Sequence, residues 1–102
     1  MTAYKLFRMT KTGLAPLFIN PRLRLEIGKV YQAEDHPTKN YAHRPGWHCT
    51  LTPCAPHLKQ GPGSGRVWCR VEVTGTKMYA RPESQGGSWV LAETLKVLEI
   101  LR

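Results

Sequence analysis

Hydrophobic and polar positions alternate near the start of the chain, in the stretch AYKLFRM. Successive side chains of a β-strand point to opposite faces, so this pattern predicts a strand. One face of it carries Tyr4, Leu6 and Arg8, and the other carries Lys5, Phe7 and Met9. The turn TKTG follows, in which Gly13 is free to take a positive φ, and then the apolar stretch LAPLFI. We therefore predict a hairpin whose second strand is an edge or bulged strand, because it contains Pro16.

The stretch RVWCRVEV has the clearest alternation in the chain. It predicts a strand with an apolar face and a mixed face. The apolar face carries Val67, Cys69, Val71 and Val73, and the mixed face carries Trp68, Arg70 and Glu72. A shorter alternation in RLRLEI predicts a strand at residues 22–27, which Gly28 ends before VYQAE.

The middle of the chain is divided by proline and glycine. Residues 35–45, DHPTKNYAHRP, predict a polar loop, and residues 47–51 predict a short extended segment. Thr52 followed by Pro53 is typical of a helix start, so we predict a short helix that ends at Leu58 or Lys59. The stretch QGPGSG then predicts a flexible loop.

The C-terminal part of the chain fits two structures. In WVLAETLKVLEILR, Leu91, Leu95 and Leu98 have helical spacing, whereas the alternation of residues 95–100 fits a strand. The preceding Gly86-Gly87 and the β-branched content favour a strand from about Lys96 onward, with residues 90–94 as strand or turn. TGTKMYARPESQGGS is predicted to be a long connection.

Together these elements predict one domain over residues 1–102 of the α+β class. We expect a mostly antiparallel β-sheet of five to seven short strands with one or two short helices.

Composition and charge add expectations about surroundings and partners. The chain is 41% hydrophobic, which suits a globular domain. Its 15 Lys and Arg residues outnumber 7 Asp and Glu residues, and the resulting net charge of +8 attracts polyanions over long range. These cations are spread along the chain without a polybasic run, so a well-solvated surface is the alternative interpretation.

The N-terminus has no signal-peptide pattern, and no apolar run reaches the roughly 20 residues that span a bilayer. We therefore expect a cytoplasmic protein with no membrane partner, in which the three cysteines stay reduced.

The stretch RPGWHCTLTPCAPHL contains the densest candidate chemistry. A small zinc domain is one hypothesis, and its ligands would be His48, Cys54 and His57. Against it, no Cys-x-x-Cys pair is present, and Cys69 lies among apolar strand residues. A Cys–His nucleophile pair lacks an identifiable oxyanion donor set. We therefore expect no cofactor and assign no catalytic residue.

The candidate binding residues come from two loops and the start of one strand. The polar, glycine-rich loop ARPESQGGSW can present backbone N–H groups to an anion, and an exposed indole beside an arginine makes a stacking platform. The alternative is an ordinary connection around core tryptophans. The candidate binding residues are Arg44, Trp47, His48, Arg81, Glu83 and Gln85.

RLEIGKVYQAE, PGWHCTLTP and RVWCRVEV, in this order, resemble small, largely uncharacterised proteins encoded by phages and prophages. The shared pattern is a Gly-Lys-x-Tyr strand, a Gly-Trp-His turn, a short helix and a valine-rich strand. Gly28, Lys29 and Tyr31 match its first part, and Gly46 with the Trp-His pair matches its second. The resemblance covers residues 4–73, with RPESQGGSWVLA as a further block, and implies a phage-type protein without an established activity.

A looser similarity is to the split β-fold of ADP-ribosyltransferases. Arg8 and residues 46–58 correspond to its basic first strand and its Gly-aromatic turn. Near Trp89, where that fold has a catalytic acid, the chain has Gly-Gly-Ser, and Glu83 and Glu93 are displaced. The similarity therefore implies a degenerate nucleotide-binding domain or enzyme.

The function that we expect from the charge and the phage-like motifs is non-enzymatic binding. The basic surface would engage an acidic macromolecule in the host cytoplasm. That partner would be nucleic acid or a nucleic-acid-handling host protein, such as a defence nuclease that the chain inhibits. The degenerate ADP-ribosyltransferase-like domain and the small zinc domain are the alternatives.

Overall fold

The computed structural model describes residues 1–17, 22–33, 46–53, 63–80, 82–85 and 87–101. Within these ranges the chain forms β-strands that all belong to one sheet, together with a single 3₁₀ turn at Glu83–Gln85. The strands are β1 (Thr2–Thr10), β2 (Gly13–Ala15), β3 (Val30–Gln32), β4 (Trp47–Thr50), β5 (Arg66–Thr74), β6 (Lys77–Ala80), β7 (Ser88–Ala92) and β8 (Thr94–Leu101). Within the described ranges, no helix is long and apolar enough to cross a membrane.

The predicted N-terminal hairpin is confirmed. β1 and β2 pair in antiparallel fashion around the turn at residues 11–12, with Arg8 opposite Ala15 and Thr10 opposite Gly13. The positive φ of Gly13, 127°, is the conformation that glycine adopts readily and other residues rarely do. Thr10 closes the turn, since its hydroxyl donates to the Gly13 carbonyl at 2.8 Å.

β5 is the most extensively paired strand, and the predicted alternation of its side chains is confirmed. β1 pairs with one of its edges from Thr2 to Arg8, and β8 pairs with the other. Cys69, Val71 and Val73 are completely buried on the apolar face. Burying each such side chain contributes roughly 1.5–3 kcal/mol, so this strand contributes strongly to the core.

One long hairpin contains four of the strands. Its first arm is β5 followed by β6, its second arm is β7 followed by β8, and both arms bend. β6 pairs with β7, the pairing resumes at Thr74 opposite Thr94, and the Glu93 amide donates to the Thr74 carbonyl at 2.9 Å. The bend lies at Gly75 and Thr76 on one arm and at Glu93 on the other. Gly75 has a φ of +64° and lies directly against the Glu93 side chain, so both the backbone conformation and the available space require glycine.

This bend makes the sheet curl. The strand order is β3-β8-β5-β1-β4-β7-β6, with β2 beside β1, so three strands separate β7 from β8. Only Glu93 lies between β7 and β8 along the chain. The half of the sheet that contains β8 and the half that contains β7 must therefore meet at this residue. Inner faces from both halves enclose one core, which consists of Ala3, Phe7, Leu14, Leu25, Trp47, Cys49, Cys69, Val71, Val73, Val90, Ala92, Leu95 and Val97.

The predicted α+β class, with five to seven strands and one or two helices, is wrong. The structure is an eight-stranded antiparallel sheet, and its described residues contain no α-helix. The helical spacing of Leu91, Leu95 and Leu98 does not correspond to a shared face, since Leu95 is buried in the core and Leu91 and Leu98 are only partly buried. Val90 and Ala92 point inward before the bend at Glu93, and Leu95 and Val97 point inward after it, so the strand alternation changes phase by one residue there.

Two other predicted elements differ from the structure. Residues 22–27 form single bridges from Leu25 to Leu14 and from Ile27 to Val97 in place of a strand. The predicted connection after β5 contains β6 and the 3₁₀ turn. The loop predicted over residues 35–45 lies outside the described residues, as do the body of the predicted helix after Pro53 and the first half of the QGPGSG loop, residues 60–62.

Candidate nucleic-acid interface

The outer face of β1 and β5 carries three cross-strand rows of side chains. The strand register places Tyr4 opposite Arg70, Leu6 opposite Trp68 and Arg8 opposite Arg66. The intervening residues point into the core, so these side chains lie on the other side of the sheet. We call Arg8, Arg66, Trp68 and Arg70 the arginine–tryptophan face; each of the four is partly exposed.

The row at Arg70 contains an ion pair. Arg70 Nη2 lies 3.1 Å from Glu99 Oε1 on β8, and both side chains are close to half exposed. The ladder between β5 and β8 shifts register between Arg70 and Val71, and such a bulge locally redirects the strand. Arg70 Nε is buried and has no hydrogen-bond partner among the described residues. An exposed ion pair of this kind is worth at most about 1 kcal/mol, so an incoming anion can compete for the guanidinium.

The row of Arg8 and Arg66 lies next to further positive charge. The Met9 amide donates to the Gly65 carbonyl at 2.8 Å, which holds the β1–β2 turn beside the start of β5. Lys11 is exposed in that turn, and Arg24 Nε donates to Thr12 Oγ1 at 2.6 Å. This end of the arginine–tryptophan face therefore has two more cations at its edge.

Such a face suits phosphate and nucleobase recognition. A guanidinium presents planar donors that match phosphate oxygens, and an indole offers a surface on which a base can stack. Arginines placed opposite each other across two strands repel, and they can share one bound anion.

Lys5 occupies a second chemically distinctive position, at the seam between β1 and β4. β4 contacts β1 at Tyr4 and β2 pairs with it from Arg8, and no described strand pairs with residues 5–7 on that side. Lys5 Nζ fills the seam and donates to the His48 carbonyl at 2.8 Å. Its ammonium lies 5.8 Å from the ring centroid of Phe7 and 5.9 Å from that of Trp47, within the range of cation–π attraction.

The surroundings of Lys5 disfavour charge. Desolvation lowers the pKa of Lys5 below its ordinary value, and the nearby Cys49 acts in the opposite direction. Burial raises the pKa of the Cys49 thiol to about 11 and that of the Cys69 thiol to about 12. Both thiols are therefore protonated at neutral pH, which is unfavourable for a nucleophile or a metal ligand.

Trp47 and His48, both predicted as binding residues, point to opposite faces of β4. Trp47 is only 8% exposed, and its Nε1 donates to the Tyr31 carbonyl at 3.2 Å. His48 is half-buried on the outer face, opposite Leu91. The structure therefore does not bring these two side chains together on one surface.

The remaining predicted residues are described only in part. Glu83 is exposed in the 3₁₀ turn and Gln85 belongs to the same turn, although the Gln85 side chain lies outside the described part. Arg44 and Arg81 also lie outside the described residues.

The metal hypothesis rests largely on residues that the structure does not describe. Of its three proposed ligands only His48 is described; Cys54 and His57 are not. The described histidine, cysteine and acidic side chains form no group of three that could hold a metal ion. The zinc hypothesis stays a prediction.

Sequence reasoning did not select any residue of the arginine–tryptophan face as a binding residue. The alternation had already placed Arg8 on the outer side of its strand and Trp68 with Arg70 on one side of theirs. The missing information was the pairing of β1 with β5, which joins two half-faces about 60 positions apart in the chain. Of the three tryptophans, Trp47 and Trp89 are buried and Trp68 is partly exposed.

Comparison with protein-family models, with curated proteins and with solved structures finds no match for this chain.

Proposed function

We propose that this chain is a non-enzymatic binding protein whose arginine–tryptophan face engages an acidic macromolecule, and that this macromolecule is nucleic acid. The observation that carries the proposal is the register of β1 and β5, which places Arg8 directly opposite Arg66 and puts Arg70 on the same face. The setting that we propose is the cytoplasm of a phage-infected host.

The chemistry of the guanidinium supports a binding role for these arginines. A guanidinium donates charge-assisted hydrogen bonds to phosphate oxygens, in a planar arrangement that matches the phosphate group. The net charge of +8 adds long-range attraction that speeds the encounter with a polyanion.

The reactive groups in the described core support binding in preference to catalysis. Lys5 is engaged by a backbone carbonyl and two aromatic rings, and the Cys49 and Cys69 thiols are buried and protonated. These contacts stabilise the fold, and burial keeps the two thiols away from solvent. Catalysis at any of them would require them to be exposed to a substrate.

A salt-titrated binding assay tests the proposal. Fluorescence anisotropy of labelled oligonucleotides, measured across a series of rising salt concentrations, should show an affinity that falls as salt rises. If each of the three arginines contacts one phosphate, the slope of log K against log salt is about −2 to −3. Binding that does not depend on salt would contradict polyanion contact.

A matched pair of double variants locates the surface. Arg8→Gln with Arg66→Gln removes two charges from the arginine–tryptophan face and should reduce the slope by about 1.4–1.8. Lys29→Gln with Lys77→Gln removes two exposed charges elsewhere, from the turn before β3 and from β6, and should change the slope much less. Equal losses in both variants would mean that the charge acts diffusely. Failure of nucleic acid to bind would leave an acidic host protein as the partner to test.

A further inference from the structure

One arginine of the arginine–tryptophan face already contacts a carboxylate. Glu99 is the residue opposite Arg70 on β8, next to the shift of register between Arg70 and Val71, and its Oε1 lies 3.1 Å from Arg70 Nη2. The side chains of Arg70 and Glu99 are 43% and 47% exposed, so the pair lies at the surface of the sheet. A partner that approaches Arg70 from solvent therefore meets a negative charge beside the guanidinium.

The geometry of the guanidinium makes this carboxylate a direct competitor for an anion. A guanidinium offers two parallel N–H donors along either of two edges, Nε with Nη2 or Nη1 with Nη2. Arg70 Nε is buried and has no hydrogen-bond partner among the described residues, so the edge that contains it is closed to a two-donor contact from solvent. The other edge includes the Nη2 that contacts Glu99. A phosphate at that edge would lie beside the carboxylate and be repelled by it.

The ion pair is weak enough to be displaced. Exposed pairs shift equilibria by about 1.4- to 5-fold, the equivalent of roughly 0.2–1 kcal/mol. The carboxylate is tethered near Arg70, which gives it a high effective concentration. A phosphate of a polyanion that is already docked is tethered in the same way, so it can replace the carboxylate within the complex. Glu99 should therefore lower the affinity of the face without abolishing binding.

We infer that Glu99 forms an autoinhibitory contact with Arg70: it occupies the guanidinium in the free protein, and a phosphate of the bound nucleic acid must displace it. This inference rests on the proposed function, and it adds a residue that limits the affinity of the same face. It involves only the row at Arg70.

Glu99→Gln tests the inference in the salt-titrated anisotropy assay. Glutamine keeps the length of the side chain and an oxygen acceptor for Arg70, and it removes the negative charge. The variant should bind a labelled oligonucleotide about 1.4- to 5-fold more tightly than wild type. The released guanidinium should also steepen the slope of log K against log salt by up to about 0.9. Glu99→Ala should shift both quantities in the same direction, and it serves as the second variant if glutamine disturbs the sheet.

Two controls separate this contact from the effect of net charge. Glu26→Gln also raises the net charge of +8 by one, but Glu26 precedes the bridge from Ile27 to β8, on the edge of β8 away from β5, and its ion pair is with Lys29. It should therefore raise the affinity less than Glu99→Gln does. In a double-mutant cycle with Arg70→Gln, the gain from Glu99→Gln should fall to that of Glu26→Gln, because the competitor acts only through Arg70.

The outcomes separate the two proposals. Equal gains from Glu99→Gln and Glu26→Gln, or a gain from Glu99→Gln that persists without Arg70, overturn the autoinhibitory contact and leave polyanion binding in place. A loss of affinity in Glu99→Gln also overturns it, because the carboxylate would then position Arg70 for phosphate. If neither wild type nor any variant binds nucleic acid, both proposals are wrong.

Discussion

Gly75→Ala should disrupt the bend that lets the sheet curl. Gly75 has a φ of +64°, and a Cβ built on it would lie 2.5 Å from Glu93 Oε2 and 2.7 Å from Glu93 Cβ. The carboxylate can rotate away, but the Glu93 Cβ is fixed by the backbone. That backbone is held by two hydrogen bonds, one from its amide to the Thr74 carbonyl at 2.9 Å and one from the Ala33 amide to its carbonyl at 2.7 Å.

Two contributions set the expected magnitude. A non-glycine residue in the left-handed region costs about 1–2 kcal/mol. Forcing an additional methyl group into an occupied space typically costs about 1–3 kcal/mol. We therefore expect Gly75→Ala to lower the free energy of unfolding by about 2–5 kcal/mol, a large part of the total for a domain of this size.

Urea unfolding followed by circular dichroism measures this loss. Gly65→Ala is the matched control, because Gly65 has a similar φ of +72° with nothing within 4 Å of the place that a methyl group would occupy, so only the backbone contribution of about 1–2 kcal/mol remains. The double variant Gly75→Ala with Glu93→Gly removes the obstructing side chain. Relative to Glu93→Gly alone, this double variant should lose no more free energy of unfolding than Gly65→Ala loses relative to wild type. If Gly75→Ala and Gly65→Ala are equally destabilising, the steric argument at Glu93 is refuted.

Three further predictions concern the core and its titrating groups. The pKa of Lys5 is lowered from 10.5 in the folded state, so the unfolded chain keeps a proton that the folded chain releases. Wild type should therefore gain stability relative to Lys5→Met as pH rises toward 10.5, and a constant difference in urea melts would contradict this. With the third cysteine replaced by serine, Cys49 and Cys69 should react with a thiol reagent at mildly alkaline pH only after denaturation, and rapid labelling of the native protein would refute their burial. Leu95→Ala should lower stability by about 2–5 kcal/mol, whereas truncating Leu51, which is 45% exposed, should change it by less than about 1 kcal/mol in the same melt.

Strands with an unbroken alternation could be predicted from the sequence. β1, β4 and β5 each follow one period of two, and Gly13 marks a turn that only glycine forms easily. β6 was not predicted as a strand, because its segment was absorbed into a supposed connection. In β7 the prediction left residues 90–94 as strand or turn, because the bend at Glu93 changes the phase of the alternation. The short periods on either side of a bend are too brief to identify a strand without knowledge of its partner.

The candidate interface depends on a pairing that no local pattern contains. Arg8 and Arg66 are separated by most of the chain, and only the register of β1 and β5 makes them neighbours. Lys5 is a partial exception. The alternation placed it on the same face as Phe7, and a lysine beside a core residue already indicates a cation that needs a partner. Its acceptor, the His48 carbonyl, became visible only in the folded chain.

The placement of β8 between β3 and β5 also affects how the chain folds. β8 ends at Leu101, yet it completes the sheet edge of β5 and supplies Leu95 and Val97 to the core. β1 likewise finds its main partner far along the chain, at Arg66–Thr74. Folding therefore begins with the entropically unfavourable closure of long loops, and a refolding time of milliseconds to seconds is the expectation for such a topology. During synthesis one edge of β5 stays unpaired until β8 has emerged from the ribosome, so the nascent chain exposes a strand edge that can pair with other chains.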